Sequence, residues 1–203
     1  LASYGEFAFA SVVGSFVVMS RNLIIYYAMP LIVLLLALLQ STVATQMAIR
    51  GVKPDLVLIV VIAATLVYGG QGGLLWAFIG GIGLDLFSGG PFGASSLALM
   101  MATLVAALGY RVLSRYHILV PLGAAGIGTI LYGLVYLGIL KALDMAAQLP
   151  LLSALQIPEH TIALWETMRQ IVIPAMFYNT TLVLFLTPLL NRIPEQQELD
   201  RFA

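Results

Sequence analysis

Asp85 is the one acid inside an apolar run, in the stretch FIGGIGLDLFSGGPFG over residues 78–93. An ionised carboxylate at a bilayer centre costs about 2.5–3.5 kcal/mol on insertion scales, which makes such a residue a functional candidate. Three roles remain open: anchoring the Ser88-Gly89-Gly90 break that follows it, contacting a partner, or handling protons or ions. Other reactive side chains are sparse. Gly93-Ala94-Ser95-Ser96 distantly resembles the serine motif of rhomboid proteases, but a serine nucleophile needs a base within hydrogen-bond reach. The histidines are His117, in a basic loop, and His160, in a polar loop, and both read as solvated or interfacial. Zinc-type HExxH, P-loop and paired-carboxylate spacings are absent. With no cysteine, thiolate chemistry, disulfides and thiolate metal sites are excluded. The expectation is a non-enzyme with no catalytic, cofactor-binding or metal-binding residues.

The elements that would carry these residues are apolar. Of 203 residues, 61% are hydrophobic and 9% charged, with a mean hydropathy of +1.03, against about 25% charged in soluble domains. A water-soluble fold is excluded on that basis, and nine basic against nine acidic residues give no surplus that would attract nucleic acid. A span needs about 20 apolar residues. The expected fold is therefore an all-α polytopic membrane protein, a compact bundle of six transmembrane helices over residues 23–190. The spans fall at about 23–43, 55–68, 72–87, 94–113, 118–140 and 168–190.

Residues 1–22 read as an N-terminal extension, peripheral or non-native before Met19, which is a candidate start, and residues 191–203 as a cytoplasmic tail. The Gly69–Gly73 stretch predicts a tight hairpin between spans two and three. Pro91 lacks an amide donor and its glycine neighbours are flexible, so span three must stop there. Six spans place Arg21, Arg111, Arg115, Arg192 and Arg201 on one side, with Arg50, Lys53, Lys141 and Arg169 on the other. The positive-inside rule then assigns both termini to the cytoplasm. Residues 142–167 form the longest polar-tolerant region. Within it, residues 158–170 predict a short interfacial helix, with Ile162, Trp165 and Arg169 on neighbouring faces and Glu159 and Glu166 towards water. A docking site for an extracytoplasmic partner is the other role for this segment.

In lipid, helices associate largely through close backbone approach at small residues. Gly73, Ala77, Gly81 and Asp85 recur every four residues; so do Ala94, Ala98, Ala102 and Ala106, and Ala125, Thr129 and Gly133. These stripes predict a compact centre of spans three to five. Each face either packs the chain's own bundle or receives a partner's helix.

The string Pro54-Asp55-Leu56, the apolar span after it, the glycine turn 69–73 and the stretch 78–93 together resemble the most characteristic region of the MreD family. The resemblance is strongest over residues 54–110. It implies that Pro54, Gly81, Gly83, Asp85, Gly89, Pro91 and Gly93 are shape-determining positions and not a catalytic set. It also implies a scaffold of the bacterial cell-elongation complex, multi-pass in the cytoplasmic (inner) membrane. The implied partners are an MreC-like protein and, through it, the glycosyltransferase RodA, an elongation-specific penicillin-binding protein, the actin-like MreB, and RodZ. On this expectation side-wall peptidoglycan synthesis is positioned by a small-residue bundle that grips the partner's single span.

The competing class is a small-molecule-binding membrane subunit like the substrate-capturing proteins of energy-coupling-factor transporters, which also use six compact helices. Broken helices and glycine loops suit such a site. Against it, the expected outer loops offer few polar groups that would converge on a pocket, and span one lacks an alanine stripe for an energising partner.

Overall fold

The computed structural model of the protein describes residues 27–42, 52–112, 119–147 and 163–190. The regular elements of the described residues are helices, with a single bridge residue at Val52. In chain order the helices are α1 (Tyr27–Thr42), α2 (Leu56–Tyr68), α3 (Gly70–Ser88), α4 (Ala94–Val112), α5 (Leu119–Ala147), α6 (Leu164–Thr167) and α7 (Ile173–Leu190). A π-helical turn, Met168–Val172, joins α6 to α7 without a break. Residues 1–22, Arg50, Arg115, His117, His160, Arg192 and Arg201 lie outside the described residues, as do Glu159 and Ile162.

The helix α2 is the axis of the bundle. Its sequence LVLIVVIAATLVY is apolar on every side, and nine of its residues are buried; a helix hydrophobic all round belongs inside a protein or membrane. It packs against α3, α4, α5 and α7. At 1.5 Å per residue its 13 residues cover about 20 Å, short of a hydrocarbon core of about 30 Å. By length and composition, α5 and the rod Leu164–Pro188 are long and apolar enough to cross a membrane.

The exterior of the bundle is apolar, and a few polar side chains lie within its apolar core. Leu31, Leu35, Leu97, Leu108, Phe177 and Phe185 are exposed, whereas Gln40, Thr65, Asp85, Thr103, Thr129, Asn179 and Thr187 are buried. Where no water is available, each buried hydroxyl must find its partner in the protein. Thr65, Thr103, Thr129 and Thr187 do so locally, donating to the carbonyls of Val61, Leu99, Ala125 and Val183 one turn back, at 2.7–2.8 Å.

The small-residue stripes are consumed by this packing. Gly73, Ala77, Ala94, Ala98, Ala102, Ala106, Ala125, Thr129 and Gly133 are all buried. A Cβ on Gly73 would overlap Thr65 of α2, and one on Gly133 would meet Val172 of the π-turn at 2.6 Å. The helix α3 also carries a further pair of contacts that the four-residue stripe does not include. Gly80 abuts Val33 of α1 and Val57 of α2, while Gly83 lies against Leu34 and Ala37 of α1. The expected groove in which these small-residue faces would grip a partner's span is thus occupied by the chain's own helices.

Three boundaries differ from the sequence expectation. Only Gly69 separates α2 from α3: its φ of 87° turns the chain within one residue, and its N–H donates to the Thr65 carbonyl at 2.9 Å. The helix α5 continues to Ala147, beyond the expected end at 140. The added residues, KALDMAA, are good helix formers, and Lys141 pairs with Asp144 one turn on at 3.2 Å, so loss of apolarity does not end the helix. The segment expected as a separate interfacial helix over 158–170 is, in its described part, the start of the last helix, with exposed Trp165 in α6 and exposed Arg169 in the π-turn.

The closest helix approach tests the packing. A Cβ at Gly81 would lie 2.2 Å from Ser96 Cα and 2.4 Å from its nitrogen, main-chain atoms that cannot rotate away. Alanine gains up to about 1 kcal/mol of helix propensity over glycine, but overpacking of this kind costs typically about 1–3 kcal/mol. Gly81→Ala is therefore expected to lower the thermal midpoint in detergent. Gly109→Ala, with nothing within 4 Å of the added carbon, is expected to leave it unchanged or raise it.

Candidate functional site

Two carboxylates organise one end of the bundle, each at the start of a helix where backbone amides lack intrahelical acceptors. Asp85 stands near the end of α3 and reaches across to the beginning of α4. Its Oδ2 accepts the Gly93 N–H at 2.7 Å and its Oδ1 accepts the Ser95 N–H at 3.0 Å. The chain reaches this position through two left-handed residues, Gly89 (φ 69°), which ends α3, and Gly93 (φ 90°). Both are strained positions for an L side chain. Between them, the Pro91 carbonyl accepts the Ala94 N–H at 3.1 Å. The motif residues Gly81, Asp85, Gly89, Pro91 and Gly93 thus build one turn, with Gly81 admitting the α4 backbone and Asp85 holding it.

Asp55 caps α2. Its Oδ1 accepts the Leu58 N–H and the Gln40 side-chain amide, each at 3.1 Å, and the Gln40 carbonyl oxygen accepts the Val57 N–H at 3.0 Å. The Asp55 backbone N–H donates to Asn179 Oδ1 at 3.0 Å, and Asn179 Nδ2 donates to Thr129 Oγ1 at 3.1 Å. Thr129 is kept in place by its own donation to the Ala125 carbonyl. This one network links α1, the N-terminus of α2, α5 and α7. Pro54 is buried immediately before it.

A cavity of about 490 Å³ lies between these two anchors. Its lining comes from the end of α1, the start of α2, the end of α3, the start of α4, α5 and the α6–α7 rod; Gln40, Asp55, Ser88, Ser95, Tyr132 and Asn179 mark those contributions. These helix ends meet because consecutive helices run antiparallel. Tyr132 and Tyr136 stack one turn apart on the α5 wall, with ring centroids 6.0 Å apart. The π-turn turns Val172 inward onto Gly133 while Ile171 and Ile173 stay exposed.

Nothing in the sequence pattern had pointed to polar groups converging on a pocket, because Gln40, Asp55 and Asn179 come from three separate parts of the chain. A signal was present: Gln40 in LLALLQS and Asn179 in MFYNTT are lone amides in apolar runs, flagged by the criterion that singles out Asp85. The serines of the rhomboid-like string have structural partners. Ser96 Oγ donates to the Phe78 carbonyl at 3.2 Å, and Ser95 gives its amide to Asp85.

The family model described as rod shape-determining protein MreD matches residues 21–193, which include both carboxylates and every element around the cavity. The chain belongs to the MreD family. It is accordingly a membrane protein of rod-shape determination. No curated protein and no solved structure matches it. In this MreD-family chain, all seven positions that carry the resemblance belong either to the Asp85 turn and its α1 and α4 contacts or, for Pro54, to the residue before the Asp55 cap.

The two anchors differ in expected strength. Hydrogen bonds to a charged group contribute about 1.5–3 kcal/mol, whereas side-chain bonds between membrane helices average about 0.6 and reach about 1.7 kcal/mol. Asp85→Ala, which removes two charge-assisted bonds, should therefore lower unfolding stability in mild detergent more than Asn179→Leu does. Asp85→Asn should fall between wild type and Asp85→Ala, since its amide keeps one acceptor oxygen. An Asp85→Asn protein as stable as wild type would show that the turn does not depend on the charge.

Proposed function

We propose that this chain is a non-enzymatic, multi-pass scaffold subunit of the bacterial cell-elongation complex. It would sit in the cytoplasmic membrane with six spans and both termini inside. The observation that carries this reading is the MreD family match over residues 21–193. The bundle fits a scaffold physically: glycine contacts and two carboxylate anchors fix its interior, and its outer face is apolar. Its direct partner is an MreC-like protein, and through it the chain helps position RodA, the elongation-specific penicillin-binding protein, MreB and RodZ for side-wall peptidoglycan synthesis. Family membership favours this over the transporter alternative.

Because the alanine and glycine stripes are buried in the chain itself, the MreC-like span docks on the exposed apolar exterior. One such face is the α4 row of Leu97, Met101, Leu104 and Leu108, all of them exposed. Co-purification with an MreC-like protein in mild detergent checks the reading. Wild type and the Ala98→Gly variant, altered inside the bundle, should bind alike, while the combined Leu97→Asn and Leu104→Asn variant should bind less with its fold intact. In cells depleted of the native protein, wild-type chain should restore rod shape. Failure of wild type both to co-purify and to restore shape would refute the scaffold assignment.

A further inference from the structure

The cavity contains more chemistry than packing requires. One oxygen of Asp55, Oδ1, accepts two hydrogen bonds, while Oδ2 has no partner among the described residues. Lys53, which forms no ion pair with a described residue, lines the same cavity. On α5 and the last helix the lining includes Leu137, Leu140, Ile171 and Ala175 beside the polar Tyr132, Tyr136 and Asn179. The cavity therefore offers a carboxyl group and a cation two residues apart, together with apolar surface from α5 and the last helix. At about 490 Å³ the space falls within the range of small-ligand sites and is partly open.

We infer that this cavity binds the head of a zwitterionic aminophospholipid of the phosphatidylethanolamine type. The ammonium group donates to Asp55 Oδ2 and the phosphate is met by Lys53. The first methylenes of an acyl chain run along Leu137, Leu140 and Ile171, and the remainder of the lipid lies outside the cavity. A ligand with only a positive charge would leave Lys53 opposed, and one with only a negative charge would be repelled by Asp55. A water-soluble amine would leave the apolar surface unused. Bound this way, the lipid would bridge α2 to α5 and the last helix at the end of the bundle held by Asp55. The inference rests on the cavity and not on the scaffold assignment, so either can fail alone.

Native mass spectrometry of the full chain, released from neutral detergent with equimolar phosphatidylethanolamine and phosphatidylglycerol, tests it. The expected result is one retained phosphatidylethanolamine, favoured by about tenfold, the discrimination that one charge-assisted hydrogen bond supplies. Asp55→Asn, which can still cap α2, should bring the two lipids to parity, and Ala175→Phe should abolish retention by filling the cavity. A thermal-shift titration of wild type with each lipid gives the same comparison without relying on a variant that folds. Equal retention and equal stabilisation by both lipids would overturn the proposal, as would undiminished selectivity in folded Asp55→Asn. Displacement of the lipid by glycerophosphoethanolamine at the same concentration would overturn its assignment as a lipid site.

Discussion

The first amides of a helix have no intrahelical acceptors, and where the helix starts within a packed bundle the protein must supply them; this constraint governs the chain at α2 and α4. Both helices start at the same end of the bundle, and both are met by a carboxylate. Asp55 serves its own helix at Leu58 and enlists Gln40 for Val57. Asp85 serves the next helix from the end of the preceding one. Each arrangement also offsets part of the cost of a buried acid, Asp85 being met by two backbone amides and Asp55 by one backbone amide and the Gln40 side chain. Remove the acids and the amides would need other partners in a region where few exist.

From those anchors the rest of the packing follows. With α4 held to Asp85, the backbones of α3 and α4 come so close at Gly81 and Ser96 that only glycine fits. With Asp55 tied to Asn179, and Asn179 to Thr129, α7 and α5 are drawn to the start of the central helix. The helices then splay enough at this end to leave a cavity lined by all six helical units. At the other end the chain turns on Gly69 alone, and Trp76 is buried edge-on against Tyr68. The cavity and its polar lining thus lie at the carboxylate end. The proposed scaffold role needs a stable body to hold a partner, and the polar end of that body encloses the cavity of about 490 Å³.

Much of this was legible in the sequence, for identifiable reasons. Asp85 stood out because a lone acid in an apolar run is costly, and its neighbours Gly89, Pro91 and Gly93 mark a helix break by their backbone properties alone. The four-residue spacing of Gly73, Ala77 and Gly81 falls on buried positions. It could not say which helix would fill the face, since periodicity gives direction on a helix and not the identity of the neighbour. Asn179 meets Asp55 across 124 residues of chain, and no local pattern encodes that pairing. The helix α5 runs to Ala147, past the expected span end at 140, because falling hydropathy marks the end of an apolar stretch and not of a helix.

The dependence of the polar end on its carboxylates is open to direct measurement by hydrogen–deuterium exchange in lipid nanodiscs. In wild type the amides of Leu58, Gly93 and Ser95 should exchange as slowly as the interior of α2. Asp85→Ala should release Gly93 and Ser95 selectively while Leu58 stays protected. If Gly93 and Ser95 were equally protected in both proteins, the carboxylate would not be what holds α4 in place, and the account given for this end of the bundle would be wrong.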